Sequence, residues 1–184
     1  MEIQRLKLLL FSHLYTRPPC KPIKKISEMF YLIKYCNSMY ISVVGGEHCS
    51  KEIYEMAVEV GKRIAKMGAI LITGGRGGVM EAVCKGAKEK NGIAIGILPS
   101  IDRKEANKYL DCAIVTGLGY ARNALVVLNG DVVIAIDGQY GTLSEIALAL
   151  EYGKPVYGLM TWNVGIKNFN SVDELFKEIE KDIS

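Results

Sequence analysis

The residue types and spacings in this sequence that suit chemistry lie in two glycine-rich stretches. One is "TGGRGG", where Gly74, Gly75, Gly77 and Gly78 flank Arg76. The other is "DGQYGTLSE", which runs from Asp137 through Gly138, Gly141 and Thr142 to Glu145. Each follows an apolar run and opens a helical pattern. Glycine at such junctions lets the chain turn tightly and lets a ligand touch main-chain N–H groups. A helix N-terminus adds unpaired N–H donors and partial positive charge, which suits a phosphate. Arg76 adds a fixed cation. Gly45 and Gly46 form a third, shorter junction. Arg122 stands at the head of a later helical run, where a cation opposes the helix dipole, so an anion is its better partner. Asp137, at the end of its apolar run, can hydrogen-bond loop amides or face a ligand hydroxyl.

Glu145 admits two readings. "TLSE", Thr142 to Glu145, has the spacing of a capping box, in which Thr142 caps a helix and Glu145 reaches back to the cap's own N–H. A carboxylate one turn into a helix whose end holds an anion can also act on whatever is bound there. Neither stretch is a dinucleotide fingerprint, since no GxGxxG follows a strand and no GxxxxGK[ST] occurs. His48 beside Cys49 makes too small a set for a metal. The five cysteines, at 20, 36, 49, 84 and 112, are scattered without a CxxC. They read as reduced thiols of a cytoplasmic protein, mostly small buried hydrophobes.

The elements that must position these residues alternate. "YISVVGG", "AILIT", "IAIGILP", "CAIVTG", "VVIAI" and "PVYGLM" read as strands. Between the first two, Ser50 offers an N-cap. Ile53, Met56, Ala57, Val60, Ile64 and Met67 follow on one helical face, and Gly68 stops the helix. "VMEAVCKGAKEKNG", "YARNALVVLNG", "TLSEIALALEYG" and "SVDELFKEIEKDI" read as further helices, the second with Ala121, Leu125 and Leu128 on its apolar side. The pattern predicts an α/β fold, a Rossmann-like doubly wound parallel sheet of about six strands with helices on both faces. Ligands of such sheets bind outside the carboxyl ends of the strands, which puts residues 45–46, 74–78 and 138–141 on one rim.

At the scale of the chain, 184 residues with 49% hydrophobic and 23% charged residues suit one globular domain. Residues 39–184 are read as that domain. Residues 1–38, with three prolines in "TRPPCKP", are read as an N-terminal extension, disordered or outside the native chain if Met39 is the true start; a basic arm for a partner or membrane surface is the alternative. This segment holds seven Lys/Arg against two Asp/Glu, whereas the rest holds sixteen against eighteen. A faintly acidic body lacks the field that draws a nucleic-acid backbone, so no nucleic acid is expected. No apolar run reaches the ~20 residues of a membrane span, and no signal-peptide cleavage pattern follows "LKLLLFSHLY". The apolar excess of the final helix, "NALVVL" and "IALALEYG" predicts a homodimer or higher homo-oligomer.

A strand ending in "GGRGGVM", Arg122 heading a later helix, and a strand running into "GQYGTLSE" together resemble the Lonely Guy superfamily. It includes cytokinin riboside 5′-monophosphate phosphoribohydrolases and molybdenum-cofactor carrier proteins. The resemblance covers about residues 39–160. Gly138, Gly141, Thr142 and Glu145 match the hydrolases' PGGxGTxxE, with Asp137 in place of proline and Gln139 in place of the second glycine. Arg122 matches the arginine of their Glu-Arg-Lys motif, with Ala121 and Asn123 replacing its neighbours. Gly74, Gly75, Gly78 and Met80 match the first motif, with Glu81 replacing a glycine. "TGGRGGVMEA" with "ARN" stands closer to the carrier-like branch.

The resemblance implies a small phosphate-bearing ligand, either a molybdenum cofactor or a nucleoside monophosphate, bound by a homo-oligomer. The first expectation is a binding or carrier protein. The second is a nucleoside 5′-monophosphate phosphoribohydrolase with Glu145 and Arg122 as catalytic residues and no required cofactor. The third is a nucleotide-sensing interaction module.

Overall fold

Buried β-branched runs ended by glycine form the centre of the molecule. The computed structural model describes residues 38–183, so the extension expected over residues 1–38 lies, Ser38 apart, outside the described residues. In chain order the elements are β1 (Tyr40–Gly45), α1 (Lys51–Lys66), β2 (Ile70–Thr73), α2 (Val79–Glu89), β3 (Ala94–Leu98) and β4 (Cys112–Val115). A 3₁₀ turn (Gly119–Arg122) leads into α3 (Asn123–Leu128). Then come β5 (Val132–Ile136), α4 (Tyr140–Glu151), β6 (Val156–Leu159), β7 (Lys167–Phe169) and α5 (Val172–Ile183).

Among the described residues the sheet has seven strands in the order β4-β3-β2-β1-β5-β6-β7. Every pairing is parallel. The chain winds outward from β1 to β4, then returns to the other side of β1 with β5, so strand order reverses between β1 and β5. Residues of these central strands alternate between two apolar layers. Ile41, Val43, Ile134 and Ile136 face a core shared with α1, α2 and Phe176 of α5. α3 and α4 pack on the opposite face, where the buried Ser42 donates its hydroxyl proton to the Val126 carbonyl at 2.6 Å.

The helix ends follow the sequence closely in α1. Ser50 Oγ accepts from the Ile53 N–H at 3.2 Å, and Gly68, with φ of 72°, ends the helix. α1 and α2 meet backbone to backbone at Gly61 and Gly86, where an added Cβ would collide with the Val83 and Val58 carbonyls.

Two expectations need correction. The sheet has a seventh strand, β7, beyond the six expected. "KNF" is three residues long, polar and mostly exposed at the sheet edge, so no buried apolar run announces it. The apolar side of α3 is also rotated. Asn123, Val126 and Val127 are buried, whereas Ala121 and Leu128 are exposed. The 3₁₀ turn before α3 advances the chain at ~3.0 residues per turn, which shifts the face that a 3.6 period places. Among the described residues no helix is long and apolar enough to cross a membrane.

Candidate anion site at the strand switch

The register of the sheet brings the three glycine junctions together. Gly45 pairs with Ile136 and Val43 with Thr73, so the chain leaving β1 lies between the segments leaving β5 and β2. A cavity of about 260 Å³ opens there, outside the carboxyl ends of the strands. Of the residues singled out in the sequence, Gly45, Gly46, Gly74, Arg76, Arg122, Gly141, Thr142 and Glu145 line it.

Arg122 and Glu145 form its inner wall, each 7% exposed. The 3₁₀ turn points Arg122 inward, and the first turns of α4 present Glu145 opposite. Nη1 of Arg122 stands 3.8 Å from Oε1 of Glu145, too far for a hydrogen bond. Nε of Arg122 is buried and has no hydrogen-bond partner. Gly74 makes this placement possible, since a Cβ there would lie 2.6 and 2.7 Å from the two Nη atoms. Burial depresses the pKa of the guanidinium, against the pull of Glu145. Burial pushes the Glu145 carboxyl up to about 7, with Arg122 drawing it partly back. The pair is thus a cation short of partners beside an acid that changes charge near neutrality.

The capping box at Thr142 is overturned. α4 starts at Tyr140, and Leu143 N–H bonds the Gln139 carbonyl at 3.0 Å. Thr142 therefore lies inside the first turn, and Glu145 points to the cavity instead of back to a cap. The "YGT" segment continues the helix toward the strand because Gly138, with φ of 95°, makes the reversal one residue earlier.

The remaining glycines of the two stretches, with Asp137, do not line the cavity. Gly75, at φ of 79°, packs its Cα face on β3, where an added Cβ would lie 3.1 Å from Gly96 Cα. A Cβ on Gly78 would collide with the backbone of Gly46 and Glu47, and that on Gly77 would rest 3.4 Å from the Glu47 carbonyl. A Cβ on Gly138 would strike Thr142 Oγ1. The Asp137 carbonyl accepts the Thr161 hydroxyl at 2.6 Å, which ties the loop to the segment after β6. These residues shape the junctions. The leading N–H of α2, on Val79, bonds the Gly46 carbonyl at 2.9 Å. The arginine of "GGRGG" reaches the cavity, but this helix end does not offer that N–H to a ligand.

Several lining residues carried no motif. Glu47 and His48 follow Gly46, and Glu47 pairs with Arg76 at 2.9 Å. Glu105 lies 3.8 Å from Arg76 on its other side. Tyr120 and Val44 line it as well, with three residues set out among the motifs, Met80, Asn123 and Gln139. Asn107 acts from outside the cavity: its Nδ2 donates to the Gly75 and Arg76 carbonyls at 3.2 and 3.1 Å and pins the glycine loop. Adjacency to the glycines was the available signal for Glu47 and His48. Asn107 sits in a polar loop and gave none. Among the described residues no cluster of three or more His, Cys, Asp or Glu is placed to hold a metal. Cys84 is buried, and its thiol is pushed up to about 12 by that burial, so it is an inert core residue.

Residues 38–182 match the profile of the SLOG cluster4 family. The chain belongs to that family. Two solved structures share its fold and much of its sequence. The molybdenum cofactor binding protein of Rippkaea orientalis is 39% identical, with a TM-score of 0.75 over 80% of this chain and 98% of that one. The molybdenum cofactor carrier protein of Chlamydomonas reinhardtii is 35% identical, with a TM-score of 0.73 over 79% and 98% of the two chains. The cytokinin riboside 5′-monophosphate phosphoribohydrolase of Mycobacterium tuberculosis is 34% identical over 98 residues, 52% of each chain. The chain thus spans about half the length of that relative. This SLOG-family protein stands in the Lonely Guy superfamily, on its carrier-like side.

Proposed function

We propose that this protein binds a phosphate-bearing nucleotide or pterin cofactor as a cytoplasmic carrier, with the phosphate seated against Arg122. The observation that carries this reading is the buried Arg122 guanidinium, whose Nε lacks a partner and whose nearest carboxylate is 3.8 Å away. A buried charge left this way is costly unless a ligand completes it. Gly74 and Gly141 keep the approach free of side chains, and the first N–H groups of α4 lack intrahelical partners. Arg76 can leave Glu47 to meet a second phosphate oxygen. The same set fits the phosphate of a molybdenum cofactor, which the named functions of the solved neighbours support.

The enzyme reading has one specific observation in its favour. Glu145 faces the cavity with a carboxyl raised to about 7, so it is partly ionised at neutral pH. In hydrolysis of a nucleoside 5′-monophosphate, water adds at the sugar C1′ as the bond to the base breaks, and the base leaves with a proton. An ionised Glu145 would stabilise the oxocarbenium-like state and orient the water, while Arg122 holds the phosphate. One experiment separates the readings. The protein is incubated with a panel of nucleoside 5′-monophosphates, and free base and ribose 5-phosphate are measured. The carrier reading expects thermal stabilisation by the ligand without turnover. Base release that Glu145→Ala abolishes would replace it with the hydrolase.

A homodimer belongs to the same proposal. Leu128 and Leu150, 45% and 44% exposed, lie at the ends of α3 and α4 remote from the cavity and leave apolar surface for a second copy.

A further inference from the structure

Glu145 puts a buried carboxyl beside the place where Arg122 would hold a phosphate. Oε1 of Glu145 stands 3.8 Å from Nη1 of Arg122, and both side chains line the same cavity of about 260 Å³. Gly74 packs against both Nη atoms. A phosphate oxygen that accepts from Nη1 therefore arrives next to Glu145. An N–H···O bond of about 2.9 Å and an O–H···O bond of about 2.7 Å can share one acceptor when their donors are 3.8 Å apart. An ionised carboxylate has no proton to offer that oxygen and repels its charge.

The surroundings of Glu145 do little to hold it ionised. Among the described residues Arg122 is the only cation that pairs with it, and no hydrogen bond reaches its carboxyl. The loop after β1 brings Glu47 and His48 to the cavity, the loop after β2 brings Arg76, and the 3₁₀ turn brings Tyr120 and Arg122. Arg76 is engaged by Glu47 at 2.9 Å, with Glu105 at 3.8 Å. Of the elements packed on α4, α3 and β5 have no ionisable side chain. Tyr40 of β1 is at the opposite end of that strand from Gly45, and Tyr157 of β6 donates its hydroxyl to Asp182 at 2.7 Å. On α4 itself Tyr140 and Glu151 are exposed. Burial, which raises the carboxyl to about 7 against the pull of Arg122, expresses the same preference for the neutral form. The charge balance agrees. Arg76 and Arg122 face Glu47 and Glu145 in the cavity wall, so, His48 aside, an ionised Glu145 leaves no net positive charge for a phosphate. A protonated Glu145 leaves a single positive charge.

We propose that Glu145 is a ligand contact that works as a neutral acid: it donates its carboxyl proton in a hydrogen bond to the phosphate oxygen held by Arg122, so the phosphate is bound together with one proton. This rests on the anion reading of the cavity. It gives Glu145 a part in binding that the carrier reading left unassigned, with the opposite charge from the one the hydrolase needs. Where Glu145 is ionised in the free protein, the proton comes from solvent on binding and returns to solvent on release. Affinity then follows the fraction of free protein in which Glu145 is protonated, and it falls as pH rises.

The test is calorimetric titration of the full chain with adenosine 5′-monophosphate, ribose 5-phosphate and adenosine between pH 7 and pH 9. A phosphate monoester, whose second pKa is about 6, stays a dianion there. For the tighter of the two phosphates, wild-type affinity falls by about tenfold or more across the range. Titrations at pH 8 in two buffers of different ionisation enthalpy count close to one proton taken up per phosphate ligand and none for adenosine. Glu145→Gln, a neutral donor of the same size, holds its affinity within about twofold over the range and exceeds the wild type at pH 9. His48→Gln keeps the wild-type fall. A Tm at each pH verifies the fold of the variants, and the proton count on the wild type needs no variant. Wild-type affinity that is level with pH, with no proton taken up, overturns the neutral contact and leaves the anion site standing. Affinity that rises with pH and loses the rise in Glu145→Gln also overturns it, and gives the site the ionised carboxylate of the hydrolase. A fall that survives in Glu145→Gln, or that His48→Gln removes, places the proton on another group, and the proposal falls. If neither phosphate binds the wild type, the anion reading fails and takes this inference with it.

Discussion

Glu145 is the residue whose chemistry is tuned most clearly by its surroundings. Its carboxyl is raised to about 7 because burial penalises the charged form more than Arg122 favours it. The folded state therefore holds its proton to a higher pH than the unfolded chain does. This stabilising contribution is complete below the unfolded value near 4.5 and is lost as pH rises through about 7. Denaturant unfolding between pH 5 and pH 8 checks it. Wild-type stability falls across this range by an amount on the order of 1–3 kcal/mol, and Glu145→Gln lacks that part of the fall. An identical slope in the variant would mean that Glu145 does not titrate there. At this scale the sequence was informative about identity and less so about role. Arg76 and Glu145 were visible from their places in the glycine stretches, and Arg122 from its place at the head of a helical run. Whether Glu145 capped a helix depended on where α4 begins. Three residues of extra helix, Tyr140, Gly141 and Thr142, decided the question, and a helix start is poorly marked where either Gly138 or Gly141 could turn the chain.

At the scale of elements, the glycines divide into those that shape a junction and those that leave room at the site. Gly138 and Gly141 are three residues apart and play opposite parts. Gly138 has φ of 95° and no space for a Cβ beside Thr142, whereas a Cβ on Gly141 meets nothing within 4 Å. Gly138→Ala is thus expected to lower stability by about 1–3 kcal/mol. Gly141→Val folds with near wild-type Tm but loses phosphate binding, since its side chain stands over the first turn of α4. Thermal melts with and without ligand read both effects. A similar contrast governs α1 and α2, which touch at Gly61 and Gly86. Gly86→Ala drives a methyl into the Val58 carbonyl, and urea unfolding should show a loss of about 2 kcal/mol or more, despite alanine's better helix propensity. Alternating strands and helices made the sheet legible, with every expected strand present. β7 and the rotation of α3 were not. β7 is a polar three-residue segment held to β6 through its backbone, and α3 takes its face from the 3₁₀ turn before it, so neither is written in an apolar period.

At the scale of the whole molecule, the parallel sheet converts residues far apart in sequence into one wall. Arg122 arrives from the segment after β4, Gly74 and Arg76 from that after β2, and Glu145 from that after β5. Only strand order joins them, and the order reverses between β1 and β5, where the cavity opens. The alternation implied that rim before any side chain was placed. The apolar surface at Leu128 and Leu150 predicts a homodimer. Light scattering of Leu150→Glu should give the monomer mass where the wild type gives the dimer mass.

The central claim is that the cavity seats a phosphate on Arg122. Its most direct test is the affinity of the wild type and of Arg122→Gln for adenosine 5′-monophosphate and for adenosine, with the fold of the variant checked by circular dichroism. The account predicts that the wild type prefers the phosphate-bearing ligand and that Arg122→Gln weakens its binding by about tenfold or more, while adenosine is little affected. Equal affinity of the folded wild type for the two ligands, or an Arg122→Gln variant that binds the phosphate as well as wild type, would contradict it.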